Sequence, residues 1–152
     1  MYTSITQILT ELSQEELVAL TNDENRPAAE IDLEDSADLI VVRINGVITV
    51  SDAEIDGYLQ GRYTLPLTAV PVTIADISTQ ITIYRLFRRR HRKNLPEDII
   101  ISYNNAVKLL GEIQKGNVNP GIEESTSQAD TIIKTNADPN NRIFTDDYMS
   151  DF

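Results

Sequence analysis

The stretch AEIDGYLQGRYTLPL, Ala53–Leu67, holds the end of an amphipathic helix, a glycine stop and a proline exit within fifteen residues. Ile55, Tyr58 and Leu59 stand at i, i+3 and i+4, so a helix puts them on one face. Gly61 is placed to supply the left-handed residue that stops such a helix. Pro66 disfavours helical backbone at Leu65, which predicts that the chain leaves extended and straight. Nothing in the segment is catalytic.

Upstream, Ser4-Ile-Thr-Gln7 and Ser13-Gln-Glu-Glu16 both fit the capping box, in which hydroxyl and carboxamide or carboxylate satisfy free amides reciprocally. They predict short helices over Ser4–Leu12 and Gln14–Thr21. Asn22–Pro27 reads as a polar loop, and Ala28–Ala37 as a loop or the lead into a third helix. That helix should be long, since Ile44, Ile48, Ser51, Ile55 and Leu59 keep the helical repeat. Local propensity points elsewhere. Ile40–Val42 and Val47–Val50 are β-branched runs on either side of Asn45-Gly46, which is a hairpin-turn dipeptide.

Beyond Pro66 and Pro71, the positions Ile74, Ile77, Ile81 and Tyr84, with Leu86 and Phe87, predict a fourth helix running into the basic end Arg88–Lys93. Cations in a last turn complement the partial negative charge there. Pro96, Glu97 and Asp98 open a fifth helix, whose stripe Ile99, Tyr103, Ala106, Leu110 and Ile113 runs to Gly116. Residues 1–116 thus read as one helical domain. Residues 117–152 read as an extended arm, too polar in its middle to fold alone. The arm turns sticky again at Arg142, Ile143, Phe144, Tyr148, Met149 and Phe152, which suggests a docking tip; a frayed tail is the plain alternative.

The chain carries a net charge of −11, unevenly spread. Residues 1–60 hold thirteen acids against two bases, 61–116 four against nine, and 117–152 seven against two. Such segregation is what ordinary solvated faces give, or what unlike faces of neighbouring copies need. Arg85, Arg88, Arg89, Arg90, Arg92 and Lys93 put six cations into nine residues beside Tyr84 and Phe87. Tracking a phosphate backbone is the alternative use of that cluster, in a nucleic-acid-binding regulator, although the field of an acidic chain opposes it.

Cysteine is absent and histidine occurs once, so the counts exclude disulfides, thiolate metal sites and a two-histidine metal site. His91 lies among arginines, where it gains no partner ligand. The acids Asp32, Glu34, Asp35 and Asp38 lack the glycine and closing glutamate of a calcium loop. No phosphate loop, dinucleotide fingerprint or nucleophile elbow is present. Asp52 and Asp56 at helical spacing read as chance in an acidic helix. The expectation is a protein without enzymatic activity, cofactor or metal. The apolar runs are too short to span a bilayer, and Met1–Leu12 lacks the pattern of a signal peptide.

The central motif, Glu54-Ile-Asp-Gly-Tyr-Leu59, Gly61-Arg-Tyr63 and Leu65-Pro-Leu67, resembles that of the head–tail connector (neck) proteins of Mu-like bacteriophages. The opening Met1–Leu20, the triplet Tyr84-Arg-Leu86, the fifth helix through Gly116, Asn141-Arg-Ile-Phe144 and Phe152 are similar to that family too. The resemblance implies an all-α fold: a small bundle of about five helices with one long central helix and an extended C-terminal arm. It implies that Leu39–Val50 is helix. In this reading Ile55, Tyr58, Leu59, Tyr63, Pro66 and Tyr84 are core or motif positions, with Tyr58, Leu59 and Tyr63 packing the third helix on the fourth and fifth.

What the resemblance implies for function is a structural virion protein in the neck, made in the host cytoplasm. A ring of about twelve copies would sit beneath the portal, join it to the next neck or tail protein and extend the DNA channel. DNA would pass without specific binding along a wall that is acidic or neutral, with no membrane partner. The arginine cluster would meet acidic surface of a neighbouring subunit or the portal. Arg142, Ile143, Phe144, Tyr148 and Phe152 would dock the arm on the portal or an adjacent subunit.

Overall fold

In the computed structural model, residues 1–91 and 94–123 are described. Five α-helices carry the fold: α1 Ile5–Ile8, α2 Gln14–Thr21, α3 Leu39–Leu59, α4 Val72–Arg90 and α5 Glu97–Lys115. The capping box at Ser4 forms in full, with Gln7 N–H donating to Ser4 Oγ at 3.3 Å and Ser4 N–H to Gln7 Oε1 at 3.0 Å. α1 ends sooner than expected, and Thr10–Leu12 continue only as turns. Ser13 caps α2 by accepting from Glu16 N–H at 3.1 Å. Between α2 and α3, Ala28–Glu30 makes one 3-10 turn, so most of this acidic stretch is loop.

α3 is helical from Leu39, against its local propensity. Asp38 starts it, its carboxylate accepting from Ile40 N–H at 2.9 Å and from the Arg26 guanidinium at 2.9 Å. Eight β-branched residues and Gly46 lie within Leu39–Val50. Together they disfavour helix by roughly 3–5 kcal/mol at a few tenths each, with about 1 for glycine. Ile40, Val41, Ile44 and Ile48 are buried, however. Burying four such side chains contributes roughly 6–12 kcal/mol. A hairpin, with its two-residue period, would leave half of them in water. Packing wins.

The exit of α3 differs from the sequence expectation. Gly61 does not take the left-handed conformation; among glycines only Gly116 and Gly121 have positive φ. α3 instead closes on bonds from Arg62 N–H and Tyr63 N–H to the Leu59 carbonyl, each 3.0 Å. The left-handed glycine stop belongs to α5, at Gly116. The chain bends at Leu65 and Pro66, joined by a cis peptide, where a straight exit was expected.

α3 is the longest helix, but α4 is the central one, packing against α1, α2, α3 and α5. One apolar cluster joins Ile40, Ile44 and Ile48 of α3 to Ile83, Leu86 and Phe87 of α4, with Ile8, Leu17 and Leu20 beneath. The other joins Ile55 and Leu59 to Ile74, Ile77 and Ile81, and to Ala106, Leu110 and Ile113 of α5. The start of α3 therefore meets the end of α4, and the two run antiparallel. Ile99 packs at the first cluster and Val118 and Ile122 at the second, so α5 runs antiparallel to α4 as well.

Candidate interaction surfaces

Of the motif residues, Ile55 and Leu59 are fully buried and Tyr63 nearly so, all in the second cluster. Tyr58 is half-buried against that cluster, and Pro66 is exposed rather than in the core. Tyr84 stacks on Tyr103 of α5, ring centres 3.9 Å apart. Beside this stack, Glu54 accepts from Arg85 at 2.5 Å and from the Tyr103 hydroxyl at 3.3 Å. Burial, then the nearby Glu54 charge, pushes the Tyr103 hydroxyl above its ordinary pKa. One carboxylate thus ties three helices, a role that neither its motif position nor its charge announced.

A second anchor also lay outside the sequence reading. Asp52 accepts from Tyr2 N–H at 2.9 Å and from the buried Ser78 hydroxyl at 2.8 Å, while Asp56 accepts from the Tyr2 hydroxyl. Thr3 and Thr79 hydroxyls pair at 2.7 Å nearby. Burial and then the Asp56 bond push the Tyr2 hydroxyl far up. The carboxylates at 52 and 56 therefore fasten the N-terminal segment to α3 and α4. The only hint was their spacing.

The basic cluster divides. Arg85 is engaged with Glu54, as described. Arg89 pairs with Asp23 and donates to the Leu20 carbonyl at 3.2 Å, serving the end of α2; Arg90 reaches Asp23 at 3.2 Å. Arg43 of α3 meets Glu24 at 2.7 Å and Asp23 at 3.5 Å, and donates to the Thr21 carbonyl. The Arg89 bond is the chief reason that Asp23 is held below the usual carboxylate range, and the Arg43 bond that Glu24 is. Arg88 is exposed and has no hydrogen bond or ion pair among the described residues. Arg92 and Lys93 lie outside the described residues, as do the arm positions Arg142, Ile143, Phe144, Tyr148 and Phe152.

α3 also presents a face without charge. Leu39, Val42, Gly46, Val50, Ala53 and Gly57 recur at three- and four-residue steps and are exposed. Leu39, Val42 and Val50 are 55%, 53% and 52% exposed. At 1.5 Å per residue this strip is roughly 27 Å long. A methyl group added at Gly46 or Gly57 would meet nothing within 4 Å.

Among the described residues no cluster of acids, histidines or cysteines is arranged to hold a metal ion, and no helix is long and apolar enough to cross a membrane. An open groove between α1 and the start of α4 contains Glu11 and Asp76. Burial, then the Asp76 charge, pushes Glu11 up, against the two bonds it accepts from Gln80 at 3.0 and 3.1 Å.

These features define a small all-α bundle with a basic end and an uncharged outer helix face. The chain belongs to the family described as Bacteriophage Mu, Gp36, which matches residues 2–135. Gene product J of Escherichia phage Mu is 28% identical over 92 residues, covering 59% of this chain and 62% of that protein. The match thus spans less than two-thirds of that relative's length.

Proposed function

We propose that this protein is a non-enzymatic structural component of the virion: a head–tail connector whose copies form a ring beneath the portal, joining capsid to tail and extending the DNA channel. Family membership supports the phage setting, and the exposed uncharged strip of α3 carries the assembly reading. On a chain of net charge −11, a strip without charge is where two copies approach with least repulsion. Its small residues let another backbone come close. Rotationally related contacts between unlike faces close into a ring, here of about twelve copies. The neck of the particle is the proposed location, after synthesis in the host cytoplasm.

The nucleic-acid regulator is the weaker reading, because Arg85, Arg89 and Arg90 already face carboxylates. Electron microscopy of the purified protein, alone and with portal, tests the proposal. Closed rings coaxial with the portal are expected. Protein that stays monomeric with portal present, and binds DNA tightly in a salt-sensitive way, overturns it.

A further inference from the structure

The basic end of α4 lies where two exposed apolar patches converge. α3 begins there, with Leu39 and Val42, beside Arg43, which shares Asp23 with Arg89 and Arg90. α5 begins there too, with Ile100 and Ile101 exposed. Asp23 and Glu24 offset part of the charge of Arg43, Arg89 and Arg90, and Arg88 adds an unmatched cation. The receptor is cationic and apolar at once.

The sequence beyond Glu123 has the opposite character. Residues 124–152 hold six acids against two bases. Residues 142–152 interleave Asp146, Asp147 and Asp151 with Ile143, Phe144, Tyr148 and Phe152. We propose that residues 142–152 of one copy dock on the basic end of α4 of the next copy, with the aromatic side chains on the apolar patches and the aspartates facing Arg88 and Arg90. This rests on the ring reading and specifies its linkage.

Placement puts a neighbour within reach. Val118 and Ile122 pack at the end of the bundle where α4 begins, and Arg88–Arg90 stand at the other end, one 19-residue helix away. Donor and receptor at opposite ends make a heterologous, head-to-tail contact, the kind that propagates around a ring. The nineteen residues from Glu123 to Arg142 can span up to roughly 60 Å, ample to cross between subunits. Charge complementarity sets the orientation of the contact and makes it salt-dependent.

The test uses the full chain with a photo-reactive benzophenone analogue in place of Phe144, in an equal mixture of heavy- and light-isotope copies. Adducts joining the two isotopes and mapping to peptides with Leu39–Arg43 or Arg88–Arg90 are expected. Their yield should fall at least roughly fivefold in Arg88→Glu, a residue whose reversal breaks no contact within the described subunit. Adding Asp146→Lys and Asp147→Lys should restore it, and those two changes alone should lower it, with the bundle's helicity unchanged. Adducts confined to one isotope, adducts on other surfaces, capture only of added portal or DNA, or no adduct at any concentration each overturn the docking. If the unaltered chain attaches to portal-bearing capsids without mixed adducts, the docking fails and the connector reading stands. If the unaltered protein never attaches, the connector reading itself fails.

Discussion

Asp52 accepts from a backbone amide of the N-terminal segment and from a hydroxyl buried in α4, while most of its own surface is shielded. Replacing it with alanine strands Ser78, which is fully buried, and releases Tyr2. A buried donor left without a partner costs about 1–3 kcal/mol. Asp52→Ala should therefore lose about that much in urea denaturation, and Asp52→Asn less, because its one carboxamide oxygen keeps one of the two acceptances. Equal losses in the two would mean that keeping one of the two acceptances recovers nothing at this position. The carboxylates at 52 and 56 were visible in the sequence, but their partners, Tyr2 and Ser78, are about fifty and twenty-six residues away. Spacing along one helix shows which groups share a face, not what lies opposite. Glu54 was missed for the same reason, since Arg85 and Tyr103 reach it from two other helices.

Among the elements, α3 shows where pattern outranks propensity. Its inward row of Ile44, Ile48, Ser51, Ile55 and Leu59 was legible as a helical period, and each is fully buried. Residue-by-residue preference pointed to a hairpin because it cannot register that α4 waits on one side. Leu59→Ala should cost about 2–5 kcal/mol, the range for a fully buried leucine. A loss below about half a kcal/mol in chemical denaturation would put the register wrong. On the opposite face, Gly46→Ala meets open space and removes a flexible residue from mid-helix. It should stabilise the monomer by about 0.5–1 kcal/mol. A loss instead would mean that the outer face is covered where stability is measured. The ends of α3 were less legible, because its stop uses carbonyl bonds from Arg62 and Tyr63 instead of the left-handed glycine that Gly61 suggested.

At the scale of the whole molecule, four of the thirteen acids in residues 1–60, Asp23, Glu24, Asp38 and Glu54, pair with arginines of the same chain. Asp23 and Glu24 hold the ends of α2, α3 and α4 through Arg43, Arg89 and Arg90. Charge counting had assigned the arginines outward, to a neighbour or the portal, and could not separate the engaged ones from Arg88. This geometry makes stability depend on pH in a definite sense. The Arg89 bond holds Asp23 low, the Arg43 bond holds Glu24 low, and the Ile40 amide followed by Arg26 holds Asp38 low. Between those lowered values and the ordinary carboxylate range near 4, the folded chain binds fewer protons than the unfolded one. Their contribution is complete above about pH 5 and is lost as pH falls through the folded values. Glu11 works the other way: its pKa is raised, so its contribution is present at low pH and fades as pH climbs through the raised value. With Glu112, which bonds from Asn117 and then Lys115 hold low, four depressed carboxylates against one raised set the slope. The urea midpoint should stay nearly flat from neutrality to about pH 5.5 and drop steeply below about pH 4.5. In Asp23→Asn the neutral-pH midpoint should be lower and the acid drop shallower, because one of the groups that must be protonated is gone. A variant that keeps the full acid slope would show that the ion pairs around Asp23 do not form in solution.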